Sequence, residues 1–499
     1  MRARRTILLA VAASMMAGIA PADAQSVAPR VRVAGGAVVG TPSPDGRALL
    51  YRAIPFAAAP LGPLRWKAPQ PVQPWTGDRV ATEIAPACLQ NDYGWNRADA
   101  LRGREDCLTL DVRTPSLSGK RPVMVWIHGG SNRAGSAGDT VLSSITKKGV
   151  VLVAIQYRLG VFGFLAPRGA ATEAGGAAGN YGLMDQIAAL RWVHDTIARF
   201  GGDPANVTLF GESAGSQDVA LLLASPQARG LFARAILESG TPGFGMPPRS
   251  LQAAHAIADQ IGPLLGTDGS IAALRRAPTS ALLAADRKLT DASLATNEYI
   301  WLKTTIDGAV LPRAPRDLLA DAPPRAVLIG SNKAEFGPNK GSLAFPDALQ
   351  PIFGSNSARA AALYNFGDPK RSVDPRLGYP ELEFSTDWIF RCPAGRVADL
   401  VSAKGAPVWR YEFDVGTNGA LATHAGELRY VFGDTPLPGG FSLQDYWVQF
   451  ARTGDPNGAG LPLWPRYDVA TQRHLLFDAS GATPQQHLRG AICALINEL

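Results

Sequence analysis

The chain has 499 residues, 46% of them apolar and 18% charged, with 53 glycines and 39 prolines. This composition excludes a disordered or fibrous protein and leaves room for one large core or two modest ones. The formal net charge of +7 is dispersed. Its densest spots, Arg102-Gly103-Arg104 and Lys147-Lys148, lack the interleaved aromatics of a nucleic-acid surface, so no nucleic-acid partner is expected.

Arg2, Arg4 and Arg5 precede an apolar run from Ile7 to Ile19, and Ala22-Asp23-Ala24 offers a small-residue cleavage site. This is the pattern of a cleaved signal peptide over residues 1–24, too short to span a bilayer comfortably. Cleavage removes three arginines and one aspartate and leaves a charge of +5. Arg4-Arg5 leaves the export route open between general and twin-arginine secretion. No later apolar run is long enough for a membrane span. The expectation is an exported protein, periplasmic or secreted, with residues 25–499 as a single domain.

Arg121 to His128 reads as a strand running into Gly129-Gly130-Ser131, and Gly149 to Tyr157 as another strand. From about Leu183 to Phe200, Ile187, Leu190, Val193, Ile197 and Phe200 recur at three- and four-residue steps, one face of a helix. Gly201-Gly202-Asp203-Pro204 stops it. Asn206 to Phe210 is then a buried strand, and Gln217 to Leu223 a helix. Ala233 to Glu238, Ala326 to Gly330 and Val408 to Phe413 continue the strand series. This rhythm predicts an α/β protein with a largely parallel sheet covered on both faces. The stretches 243–323 and 347–391 are more helical and read as insertions over the carboxyl ends of the strands.

Between the Asn206 strand and the following helix stands Gly211-Glu212-Ser213-Ala214-Gly215, a G-x-S-x-G pattern in its required setting. The turn strains the serine backbone, exposes its hydroxyl to a cleft and puts it at a helix N-terminus. A serine hydroxyl needs a base, a group to orient that base, and N–H donors for the oxyanion. Of six histidines, His424 sits in a loop after the Val408 strand, where a general base belongs. Glu335 follows the Ala326 strand and is the candidate acid. The Gly129-Gly130-Ser131 loop, with Ala214, is the candidate oxyanion hole. This chemistry calls for no metal and no organic cofactor.

The chain resembles the type-B carboxylesterase and cholinesterase family over nearly all of residues 25–499. The resemblance rests on Pro60 to Pro69, Glu105 to Val112, Tyr157 to Leu165 and Gly179 to Gln186. Its most specific run is Phe200 to Ser216, followed by Gly330 to Glu335, His424 to Gly433 and Phe450 to Asn457. The resemblance implies an α/β-hydrolase fold with helical insertions covering an active-site gorge, and Ser213, Glu335 and His424 in the chain order of that fold. It implies oxyanion donors from Gly130, Ser131 and Ala214, and a small-molecule ester substrate. Cys88, Cys107, Cys392 and Cys493 allow three pairings on spacing alone; the resemblance implies Cys88–Cys107 and Cys392–Cys493.

The sequence departs from the family in three places. Ser131-Asn132 stands where the glycine loop commonly has Gly or Ala and then an aromatic, which predicts a more polar pocket wall. Phe336 follows Glu335 where glycine is common. Neither Tyr93 nor Trp95 aligns with the choline-stacking tryptophan, so a quaternary ammonium substrate is not supported. The leading expectation is a serine carboxylesterase. Rivals are the same mechanism on amide, carbamate, thioester or anionic polycarboxylate esters, and a non-catalytic binding protein on the same scaffold.

Overall fold

A computed structural model describes residues 28–294, 297–336, 349–364, 376 and 380–497. The predicted signal segment 1–24 lies outside them. Its centre is an 11-stranded sheet. The strands are β1 (Thr41–Pro42), β2 (Leu49–Pro55), β3 (Thr109–Thr114), β4 (Arg121–Ile127), β5 (Val151–Ile155) and β6 (Gly202–Glu212). They continue with β7 (Arg234–Glu238), β8 (Ala326–Asn332), β9 (Val408–Phe413), β10 (His474–Asp478) and β11 (Gly481–Gln485). Their spatial order is β11-β10-β9-β8-β7-β6-β4-β5-β3-β2-β1. Every pairing from β5 through β10 is parallel, and both edges are antiparallel.

The alternation of side chains along a strand divides the core in two. In β4, Val123, Val125 and Ile127 face one side, and Met124 and Trp126 the other. β5 repeats this with Val151, Val153 and Ile155 against Leu152 and Ala154. The first side is covered by α1 (Tyr181–Thr196), α2 (Ala214–Ala224), α3 (Pro315–Asp321) and α4 (Cys392–Ser402). The second is covered by α5 (Leu443–Thr453), through Tyr446, Trp447, Val448 and Phe450. Each such side chain contributes about 1.5–3 kcal/mol by leaving water. The helix expected to reach Phe200 is α1 plus a tighter turn, Ile197–Phe200, ended by left-handed Gly201.

Sequence reading missed the antiparallel edge strands and a small three-stranded sheet of Arg30–Val33, Gly36–Val39 and Asp78–Val80. These are short, and their periodicity is too brief to stand out. The 243–323 insertion is helical as expected. It also carries a two-residue ladder between Arg249–Ser250 and Thr305–Ile306. Both disulfides, Cys88–Cys107 and Cys392–Cys493, are formed. The second joins α4 to the C-terminal helix α6 (Gly490–Asn497).

Candidate active site

Ser213 occupies the turn from β6 into α2 with φ 56° and ψ −126°, a conformation costly for any residue with a side chain. The turn is tight because β6 feeds directly into α2. A Cβ on Gly215 would lie 2.2 Å from the Ile127 carbonyl oxygen of β4, so only glycine fits there. The Ser213 N–H donates to the Glu238 carbonyl on β7 at 2.9 Å, and Gln217 N–H to the Ser213 carbonyl at 3.0 Å.

The loop after β4 lies against this turn. A Cβ on Gly129 would come within 3.1 Å of Ser213 Cβ. Gly130, Ser131 and Asn132 all have positive φ, at 111°, 57° and 55°. Among the described residues no protein acceptor takes up the N–H of Gly130, Ser131 or Ala214. The Asn132 side chain does not make the polar pocket wall expected from sequence. It is 1% exposed and turned inward, donating to Asp218 and accepting from the Tyr157 hydroxyl. Burying the amide where it can be fully hydrogen-bonded outweighs leaving it on the gorge wall.

Glu335 follows β8, and its buried carboxylate accepts from the Asn332 N–H at 2.7 Å. Its other oxygen is 2.6 Å from Nδ1 of His424. The opposite ring nitrogen, Nε2, lies 3.1 Å from Oε1 of Glu212. Among the described residues no hydrogen bond joins His424 to the Ser213 hydroxyl. The loops carrying Glu335 and His424 are stitched together by Ala334 N–H to the Ala422 carbonyl at 3.0 Å. Asn332 adds bonds from its amide to the Thr423 carbonyl and to Glu427, at 2.9 and 2.5 Å.

Three buried carboxylates, Glu212, Glu335 and Glu427, therefore act on one imidazole, and a fourth, Glu238, adjoins Glu212 and Glu427. Burial alone pulls His424 down, but Glu212, then Glu335 and Glu427, outweigh it and push it up to about 9. Burial raises Glu212 to about 7 against the pull of His424, with Glu335 adding to the rise. Burial, with repulsion from Glu212 and Glu335, raises Glu427 to about 8. Glu238, bonded by Trp447 Nε1 at 2.9 Å, is raised further, chiefly by burial. Sequence reading missed Glu212, Glu238 and Glu427 as site residues. Glu212 and Glu427 sit inside the quoted motifs, one before the serine and three after the histidine.

Aromatic side chains from both insertions close the site. Phe244, Leu302 and Phe390 pack on Ala214. Phe244 lies in three consecutive left-handed residues, Gly243 to Gly245, and meets Phe390 edge-on at 5.5 Å. Phe390 is presented by the wide helical turn Asp387–Arg391, a feature common at functional sites, and lies 5.2 Å from the His424 ring. Phe336 lies 3.9 Å from that ring and 5.8 Å from the ring of Phe390, so the two phenyl groups adjoin each other beside the imidazole. Trp95 is 64% exposed, with its ring 3.2 Å from where a Gly130 Cβ would stand. Tyr93 already has Arg133 and Arg287 near its ring, at 4.1 and 5.5 Å. The recess between Asn132 and Gln217 holds about 10 Å³, room for one water and no substrate. Among the described residues no cluster of metal-ligating side chains is present, and no helix is long and apolar enough to cross a membrane.

A model of the carboxylesterase family matches residues 27–496. Carboxylesterase 1E of Mus musculus is 35% identical over 481 residues, 84% of each chain. A medium-chain fatty acyl-CoA hydrolase precursor of Anas platyrhynchos is 35% identical over 490 residues, 86% of this chain and 84% of its own. A solved carboxylesterase of Geobacillus stearothermophilus superposes with a TM-score of 0.79 at 33% identity, covering 93% of this chain and 99% of its own.

Proposed function

The chain belongs to the carboxylesterase family and is a carboxylic ester hydrolase of the α/β-hydrolase fold, and on that premise we propose that Ser213, His424 and Glu335 form its catalytic triad. The Ser213 hydroxyl attacks the ester carbonyl while Nε2 of His424 takes its proton. Glu335, on Nδ1, fixes the ring's orientation and stabilises it when charged. The developing oxyanion is received by the N–H groups of Gly130, Ser131 and Ala214. His424 returns the proton to the departing alcohol. Water then cleaves the acyl-enzyme by the same steps.

The observation that carries this reading is the 2.6 Å contact between His424 and Glu335 beside a serine in a strained strand-to-helix turn. Three N–H groups without a protein acceptor stand next to that serine. The apolar cluster of Phe244, Leu302 and Phe390 packed on Ala214 favours neutral, apolar acyl groups. Asn132 faces inward, which leaves half-buried Ser131 as the polar side chain of that loop and weakens the motive for anionic polycarboxylate esters. The acyl-CoA hydrolase relative keeps a thioester as the second reading. Residues 1–24 are proposed as a cleaved export signal and 25–499 as one catalytic domain; the two disulfides suit an oxidising compartment.

The test is hydrolysis of p-nitrophenyl esters from acetyl to long acyl by the mature protein and by Ser213→Ala. Turnover by the wild type that disappears in the variant supports the triad. Undiminished turnover by Ser213→Ala overturns it, and a folded but inactive wild type favours the binding-protein rival.

A further inference from the structure

The proposed oxyanion donors sit on two separate elements. Gly130 and Ser131 belong to the loop after β4, and Ala214 begins α2. Such donors act only when held within about 0.5 Å of the productive geometry. Something must therefore fix the loop against the helix.

Asn132 is the side chain that reaches across. Its φ of 55° is a conformation asparagine tolerates better than most residues, because its short amide can hydrogen-bond nearby. The amide Nδ2 donates to Asp218 Oδ1 on α2 at 3.0 Å. Its Oδ1 accepts from the Tyr157 hydroxyl at 3.2 Å, and its carbonyl accepts from Gly160 N–H at 2.7 Å. Asp218 Oδ2 accepts in turn from Gln186 Nε2 on α1 at 2.6 Å. Asn132, Tyr157, Gln186 and Asp218 are all buried, at 1% exposure or less.

Asp218 is an expensive residue for this place. It is a fully buried acid whose hydrogen-bond donors are amides, with no cationic partner among the described residues, and burial pushes it up to about 7. An aliphatic side chain would fill the space without that penalty. A cost of this kind, aimed at the residue after Ser131, points to a geometric task.

We propose that the Asn132–Asp218 hydrogen bond is a brace that sets the Gly130 and Ser131 donors at their working distance from the Ala214 donor. Asn132 and Asp218 are positioning residues: neither touches the substrate. The inference rests on the proposed role of those three N–H groups. It also gives the departure from the family pattern at Ser131-Asn132 a function, since the asparagine replaces a wall residue with a tether.

The experiment compares Asn132→Ala, Asp218→Ala and Asp218→Asn with the wild type and Ser213→Ala. Measured are kcat and KM for p-nitrophenyl butyrate per titrated active site, the inhibition constant of an alkyl trifluoromethyl ketone, and the thermal midpoint. The two alanine variants break the bond from either side, so a folding failure of one leaves the other to be read. Each should lose about 10- to 100-fold in kcat with KM changed little, and bind the ketone more weakly by a matching factor. Asp218→Asn should retain most activity. Its Oδ1 still accepts from Asn132, and Gln186 can flip to present Oε1, which is buried without a partner. Alanine variants that lose thermal midpoint but keep wild-type kcat and ketone affinity overturn the brace and leave the triad standing. Turnover persisting in Ser213→Ala would instead overturn the reading on which the brace rests.

Discussion

Nε2 of His424 lies 3.1 Å from Oε1 of Glu212, the residue immediately before the candidate nucleophile. With Glu335 2.6 Å from the other nitrogen, the imidazole is held between two carboxylates. That arrangement favours the charged ring, and only the neutral ring can accept a proton from Ser213.

The expected consequence is a displaced pH profile. His424 is pushed up to about 9, so kcat/KM for an uncharged ester should fall about tenfold per unit as pH drops below that value. Glu212→Gln removes a charge that stabilises the imidazolium, so its folded-state pKa should drop. The acid limb should then move to lower pH by about one unit or more. Profiles of wild type and variant across neutral to alkaline pH check this; superimposable limbs would show that Glu212 does not set the base.

His128 should tune the oxyanion loop. Its Nδ1 is 2.9 Å from the Gly129 carbonyl oxygen, and burial pulls the ring down to about 4, so it stays neutral and donates Nδ1–H. In a trans peptide the carbonyl and the following N–H point in opposite directions. Fixing the Gly129 carbonyl therefore fixes the Gly130 N–H. His128→Phe keeps a ring to stack on Tyr157, now 4.5 Å away, and removes the donor. The expected outcome is a loss of about tenfold or more in kcat with little change in KM. An unchanged kcat would assign His128 to packing alone.

What the linear chain revealed follows from the range of the interactions. β4 and β5 were legible because each carries a continuous apolar run buried on both faces, and β6 because its second half, Val207 to Phe210, is β-branched or apolar and buried. Ser213 was legible because a strained turn, its glycines and the flanking strand and helix are all local. The carboxylate cluster was not legible. Glu212, Glu238, Glu335 and Glu427 converge only because β6, β7 and β8 lie side by side and the His424 loop folds back over them. Asn132 was misjudged because its sequence neighbourhood shows a loop but not Asp218, which approaches from α2. Phe390 was hidden in a helical insertion whose wide turn has no sequence signature.

Phe244 should limit acyl size. It is 4% exposed, packs on Ala214 and meets Phe390 edge-on. Phe244→Ala makes space in the apolar cluster beside Ala214, so the ratio of kcat/KM for long or branched acyl esters to that for acetyl should rise by roughly tenfold. The truncation should also lower stability, by about 3–5 kcal/mol if the neighbours do not collapse into the space. A p-nitrophenyl ester series with thermal denaturation of the same samples separates the two effects. An unchanged acyl preference would place the acyl group elsewhere.

The Cys392–Cys493 disulfide should matter more for endurance than for rate. Its partners are 101 residues apart, and closing so long a loop in the unfolded chain contributes about 4–5 kcal/mol in the chain-entropy account. A second tether lies nearby, Arg489 Nε to Asp387 Oδ2 at 2.9 Å, so α6 stays docked in the folded state when the sulfurs are removed. Phe390 is held independently, because the adjacent Arg391 pairs with Asp387 and with Glu412. Replacing both cysteines by alanine should therefore leave kcat at room temperature within about twofold, while shortening the half-life at elevated temperature several-fold. Wild-type and variant inactivation rates in the presence and absence of reductant test this. The variant keeps Cys88–Cys107, so reductant should shorten the wild type's half-life by more than the variant's, and equal half-lives without it would mean that the C-terminal helix is not where thermal unfolding begins.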